Sequence, residues 1–244
     1  MSSPGTDSMG GGIAFHLGPL AVTDTVLTTW GIMALLAVIA ILVSRGMKES
    51  PSRWQSATET CVTLIEEAVA EVIPAAAVRS VMPFVGTLWI FILVSNLAGL
   101  VPELHAPTQD LATTGALALL VFLSTHWFGI RSKGLKEYLR HYIEPSVILL
   151  PFHIISELTR TLALAIRLFG NMMSLEMAAM LVLLIAGFLV PVPLLLLHVV
   201  EALVQAYIFG MLALIYIAGA MEAGEPMEAS AGAALPSTKE KENT

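Results

Sequence analysis

A chain of 244 residues that is 56% hydrophobic and 13% charged, with a mean hydropathy of +0.81, has the composition of an integral membrane protein and not of a soluble domain. Its net charge of −7 comes largely from the tail and surface segments, and its 12 Lys and Arg are not gathered into a stripe, which excludes nucleic acid as a partner. The single cysteine, Cys61, excludes an internal disulfide framework and a paired-cysteine metal site.

Taken in order, the chain reads as an all-α membrane protein with five transmembrane segments and one amphipathic helix. Residues 1–24 are expected to form an extracytoplasmic N-terminal segment, and with no basic n-region or long apolar run they are not expected to act as a signal peptide. Residues 1–12 are rich in Gly and Ser and are expected to be disordered. The first span, 25–44, carries no charge and is long enough to cross a bilayer, and Arg45, Lys48 and Arg53 follow it. From 54 to 73 the pattern changes. Trp54, Ala57, Cys61, Leu64, Ile65, Ala68 and Val72 recur at helical spacing opposite Glu59, Glu66, Glu67 and Glu71, which predicts an amphipathic surface helix ended by Pro74. Its acidic face is unusual for contact with anionic lipid, so packing on a partner subunit stands equally beside the lipid surface.

The second span is predicted at 81–101 and the third at 111–130, joined by a loop, 102–110, without Lys or Arg. Arg131, Lys133, Lys136 and Arg140 then form a second basic connection. The fourth apolar segment runs over 145–190 and the fifth over 194–221, with Pro191 and Pro193 expected to make the turn between them. A flexible tail, 222–244, closes the chain. With five crossings both basic connections fall on one side, which the positive-inside rule makes cytoplasmic, together with the C-terminus; the N-terminus is then outside. A helix over 145–190 would be roughly 69 Å long against a hydrocarbon core of about 30 Å. The last two segments are therefore expected to form a long, strongly tilted helical hairpin.

The fourth segment holds most of the chemistry. With Arg167 as zero at 100° per residue, His153 and Asn171 fall at about +40°, Arg160 at about +20°, and Ser156 and Ser174 at about −20°. Glu157 lies at the edge of this stripe and Glu176 on the opposite face. Ionisable groups at membrane depth are costly, roughly 2.5–3.5 kcal/mol each on insertion scales, and mark ion paths by default. On the fifth segment His198, Glu201, Gln205 and Tyr216 make a second stripe, within about 60° of one another. The arrangement reads as two wet half-paths separated by a fixed positive charge. The outer one would use Asn171, Glu176, His198, Glu201 and Gln205; the inner one His153, Ser156 and Glu157, with Arg160 near it. Carboxylates and imidazole relay protons or help dehydrate ions, whereas arginine does not deprotonate and so blocks.

These residues also admit structural readings. Arg160 can pair with Glu157 three residues earlier. Asn171 and Gln205 can act as interhelical hydrogen-bonding glue. Glu176 and His198 can form a buried pair, and His126 and Trp127 can anchor an interface.

IRLFGNMMSLE (Ile166–Glu176) resembles the signature segment of the a subunit of F-type ATP synthases. SNLAGLVPE (Ser95–Glu103), PTQDLATT (Pro107–Thr114) and HVVEALVQAYIF (His198–Phe209) resemble the family's second, third and last spans, so the likeness covers most of the chain. The resemblance implies a non-catalytic stator subunit in a bacterial plasma membrane that needs no cofactor and holds no metal. Its partners would be the rotor ring of c subunits, b-type peripheral-stalk subunits and the rest of the F1F0 complex, within a lipid bilayer. Arg167 would be the stator arginine facing the ring's carboxylates, and Asn171, Glu176, His198 and Gln205 would line the ion path. Thr161 stands where the family commonly has proline, Ser174-Leu175 replaces small residues before Glu176, and Glu201 is an added carboxylate. The short N-terminal region leaves open an alternative F-type enzyme coupled to Na+ instead of H+. Two other functions remain open on the residues alone. One is a stand-alone secondary transporter or channel, which would predict internal repeats. The other is a helical-bundle metalloenzyme using His153/Glu157 and His198/Glu201. No P-loop is present, so any link to ATP runs through partners.

Overall fold

The computed structural model describes residues 13–17, 20–45, 53–101, 106–136, 138, 150–186 and 191–222. It opens with two strands, Ile13–Leu17 (β1) and Leu20–Thr23 (β2), paired antiparallel with Leu17 opposite Leu20 and Ile13 opposite Thr23. The alternation of Ile13, Phe15 and Leu17 has the two-residue period of a strand. This ribbon is an addition to the helical pattern read from the chain. Residues 1–12, expected to be disordered, lie outside the described residues.

Helix α1, Asp24–Arg45, follows directly, with an acid in its first turn and a base in its last, both favourable to the helix dipole. It is nearly bare: Thr25 and Ile32 are its buried residues, while Leu27, Trp30, Leu35 and Leu42 are exposed. A 22-residue apolar helix left uncovered by its own chain suits lipid or a partner helix, and not water. Helix α2, Arg53–Ala70, is the amphipathic element. Only its second half is covered: Ile65, Ala68 and Val69, with Val72 and Ile73 beyond it, pack in a core cluster with Val78, Val81 and Val85 of α3, while Leu64 of its apolar stripe is 61% exposed.

Helix α3, Ala75–Ala98, begins after Pro74. A single 3-10 turn, Pro107–Gln109, leads into α4, Leu111–Lys133, whose N-cap Asp110 accepts a hydrogen bond from the Ala112 amide at 3.1 Å. Gly134, at φ +83, stops α4 in a conformation that glycine alone adopts without strain. Helix α5, Leu150–Ala186, and helix α6, Pro191–Glu222, are 37 and 32 residues long. At 1.5 Å per residue they measure roughly 55 and 48 Å, well beyond the hydrocarbon thickness, so they must lean to stay within it. Pro191 and Pro193 do not form the turn expected of them; they occupy the first turn of α6. There a missing amide proton costs nothing, because the first amides of a helix have no internal acceptor. The connection, 187–190, lies outside the described residues, as do 145–149 of the fourth predicted segment and 223–244 of the tail.

Among the described residues five helices are long and apolar enough to cross a membrane: α1, α3, α4, α5 and α6. The protein is an all-α integral membrane protein with a small strand ribbon added. Four of the helices share one core, built from Leu88 and Ile92 of α3, Ala118 and Val121 of α4, Leu164, Ala165 and Leu168 of α5, and Ala206, Phe209 and Ala213 of α6. Helix α6 takes part in both core clusters and is the most buried of the spans. It packs tightly on α3 at Gly210, where the Trp89 indole occupies the space a side chain would need. The Trp89 Nε1 donates to the Tyr207 carbonyl at 3.3 Å, and the two rings stack 6.1 Å apart.

Candidate functional site

Helix α5 buries one side and exposes the other. Leu164, Ala165, Leu168 and Met172 are buried against the core; Ile154, Leu158, Leu162 and Ile166 are exposed. The polar stripe runs along the border between these two surfaces. Arg167, Ser156, Ser174, His153 and Arg160 are exposed on it, and Asn171 is half-buried. Arg167 therefore points away from its own chain, at the middle of a span helix.

Four residues beyond Arg167 the stripe turns inward. The Asn171 Nδ2 donates to the Gln205 Oε1 at 2.6 Å, bridging α5 and α6. Gln205 is 1% exposed, and its own Nε2 has no hydrogen-bond partner among the described residues. At the other end of the stripe, Arg160 pairs with Glu157 at 3.8 Å, and its guanidinium lies 4.7 Å from the centroid of the Tyr216 ring on α6. The interhelical reading of Asn171 and Gln205 and the local reading of the Arg160–Glu157 pair both describe contacts present in the fold.

A second polar cluster lies between α3 and α6. His198 is 6% exposed, with its Nε2 3.1 Å from the Asn96 carbonyl. Asn96, fully buried, donates from Nδ2 to the Ala202 carbonyl at 3.4 Å. The Asn96 Oδ1 and the neighbouring Ser95 Oγ are buried without a hydrogen-bond partner among the described residues. A carbonyl oxygen accepts only, so the His198 Nε2 must carry its proton in either charge state of the ring. Any proton that His198 exchanges must therefore pass through Nδ1.

The structure does not make a pair of Glu176 and His198. Both lie on the α5–α6 hairpin, but His198 is engaged by α3, and among the described residues neither Glu176 nor Glu201 has an ion-pair partner within 4.0 Å. Both carboxylates are half-buried. Among the described residues no three His, Cys, Asp or Glu side chains gather as a metal site would require.

Several residues enter the site that periodicity along one helix does not single out. Ser95, Asn96 and Thr108 are all fully buried, each with a side-chain oxygen unpartnered among the described residues. The available signal was a Ser-Asn pair in the last turn of an otherwise apolar span, which is unusual enough to mark a buried polar contact.

The chain matches the family model described as ATP synthase A chain over residues 26–218. Among curated proteins it is 63% identical over 211 residues to ATP synthase subunit a 2 of Pelobacter propionicus, a match covering 86% of this chain and 92% of that one. It is 58% identical over 207 residues to ATP synthase subunit a 1 of Hahella chejuensis, covering 85% and 88% of the two chains. It is 55% identical over 213 residues to ATP synthase subunit a of Legionella pneumophila, covering 87% and 92%.

Proposed function

The chain belongs to the ATP synthase a-subunit family, a membrane-sector component of the F-type complex, and on that premise we propose that it is the stator through which ions reach and leave a rotor ring. The observation that carries this reading is the placement of Arg167: a permanent cation on a membrane-length helix, exposed to whatever lies outside its own chain. A guanidinium there attracts a carboxylate on a neighbouring subunit and opposes cations running straight through.

In this account the ion, H+ or Na+, enters on the side of the α5–α6 connection. It passes the surroundings of Glu176, His198, Glu201, Gln205 and Asn171. The unpartnered Gln205 Nε2, Asn96 Oδ1 and Ser95 Oγ give this side hydrogen-bonding capacity that a hydrated path would use. His198 takes part through Nδ1 alone, so it holds or releases a proton at one end of the ring and does not pass it across the ring. The ion neutralises a rotor carboxylate, which lowers the cost of that group facing lipid. After the ring has turned, the carboxylate discharges beside Arg167, and the ion leaves past Glu157, Ser156 and His153. The positive-inside rule supports this orientation, with the exit on the cytoplasmic side of the basic connections and the N-terminus outside. The partly covered α2 faces that same side, where it offers b-type peripheral-stalk subunits an acidic surface.

The test is ATP-driven ion uptake by the complete complex reconstituted in liposomes. Arg167→Ala is expected to abolish uptake while the complex still assembles. Uptake retained in that variant overturns the role given to Arg167.

A further inference from the structure

Two contacts tie α5 to α6, one on each side of Arg167. Asn171 bonds Gln205, and Arg160 lies over Tyr216. Eleven residues separate these contacts on α5 and eleven on α6, so one antiparallel register carries both. The two contacts fix how α5 is rotated against its neighbour, and with it the direction in which Arg167 points.

The contact at Tyr216 also disposes of a second cation. Arg160 stands seven residues before Arg167, about two turns or 10.5 Å along the axis, and within about 20° of it around the helix. Its side chain is 44% exposed, on the same open surface. Left free, it would offer a passing carboxylate a second partner on the stripe. Instead its guanidinium lies 4.7 Å from the centroid of an aromatic ring and also pairs with Glu157 at 3.8 Å. The ring is itself fixed, because Tyr216 packs against the four-helix core. Its hydroxyl makes no hydrogen bond among the described residues, so the hold on Arg160 is that of the ring face. A guanidinium over such a face is attracted by the ring quadrupole, and more strongly where water is excluded.

We propose that Tyr216 is a positioning residue: its ring parks Arg160 against α6 so that Arg167 alone is offered to the rotor carboxylates. This deepens the stator reading and rests on it.

The experiment compares initial rates of ATP-driven ion uptake by reconstituted complexes. Tyr216→Phe keeps the ring and is expected to run at the wild-type rate. Tyr216→Leu removes the ring, releases Arg160 and is expected to slow uptake about two- to fivefold, the population shift a partly exposed contact of this kind controls. Arg160→Gln provides the reference, and adding it to Tyr216→Leu is expected to restore the rate to that of Arg160→Gln alone. A merely structural tyrosine is not rescued by removing a charge on another helix. The proposal is overturned if Tyr216→Phe is as slow as Tyr216→Leu, if Tyr216→Leu pumps normally, or if the double variant stays slow. Tyr216→Met replaces Tyr216→Leu should the latter not assemble; failure of both to assemble while Tyr216→Phe does makes the ring structural and also overturns it. The stator reading fails separately: Arg167→Ala that still pumps removes it, whereas a normal Tyr216→Leu beside a dead Arg167→Ala removes only the parking role.

Discussion

Replacing Gly210 by alanine places a methyl group where the Trp89 indole now lies, in contact with its Nε1, Cδ1 and Cε2 atoms. Neither helix can yield easily, because α3 and α6 share both core clusters around this point. The indole must therefore move. It would forfeit its hydrogen bond to the Tyr207 carbonyl and its stack on the Tyr207 ring. Overpacking alone costs about 1–3 kcal/mol, the hydrogen bond about 0.5–1.5, and the ring pair about 0.5–1.5. One displacement causes all three losses, so they do not add fully, and a total of about 3 kcal/mol is expected. For a chain of this size that corresponds to a fall of roughly 6–12 °C in a thermal midpoint. The assay is heating of the purified complex, followed by the fraction of this subunit that remains bound and by tryptophan fluorescence. Trp89→Leu combined with Gly210→Ala vacates the contested space and is expected to recover part of the loss. An unchanged midpoint and an unchanged tryptophan spectrum in Gly210→Ala would refute the close approach of α3 and α6.

Two further predictions concern the polar contacts. Asn171→Leu and Gln205→Leu each break the bridge between α5 and α6, and their double-variant cycle is expected to give a coupling of about 0.6–1.7 kcal/mol in thermal stability of the complex; additive effects would show that the bridge contributes nothing. His198→Gln keeps a donor that can reach the Asn96 carbonyl but removes the basic Nδ1, so the complex is expected to assemble normally and pump slowly; normal pumping would take His198 out of the ion path.

The elements that were legible in the chain are those set by local periodicity. Arg167, Ser156, Arg160 and Ser174 share one exposed edge of α5 because a period of 3.6 residues puts them there before any packing is known. The Arg160–Glu157 pair is legible for the same reason, since three residues is one helical turn. What depends on the register between helices was not legible. The stacking of Arg160 on Tyr216 and the engagement of His198 by Asn96 each join residues far apart in the chain, through an offset that no single-helix pattern contains. The first turn of α6 is not legible either, because Pro191 and Pro193 fit a turn and a helix start equally well and nothing local decides between them. The ribbon of β1 and β2 did leave a signal, the alternation of Ile13, Phe15 and Leu17 before Gly18-Pro19, but it is short enough to pass for an irregular lead into the first span.

The stator role requires the Arg167 edge of α5 to lie against a neighbouring subunit's carboxylate. Ala163, one turn before Arg167, is exposed on that edge and is small enough to be replaced by cysteine with little disturbance. In the complete complex with Cys61→Ser, oxidation of Ala163→Cys against a cysteine placed beside the rotor carboxylate should form a disulfide that stops ATP-driven pumping and releases it on reduction. Ready cross-linking of the exposed α1 cysteine variant Leu35→Cys to that rotor position, with none from position 163, would contradict the account.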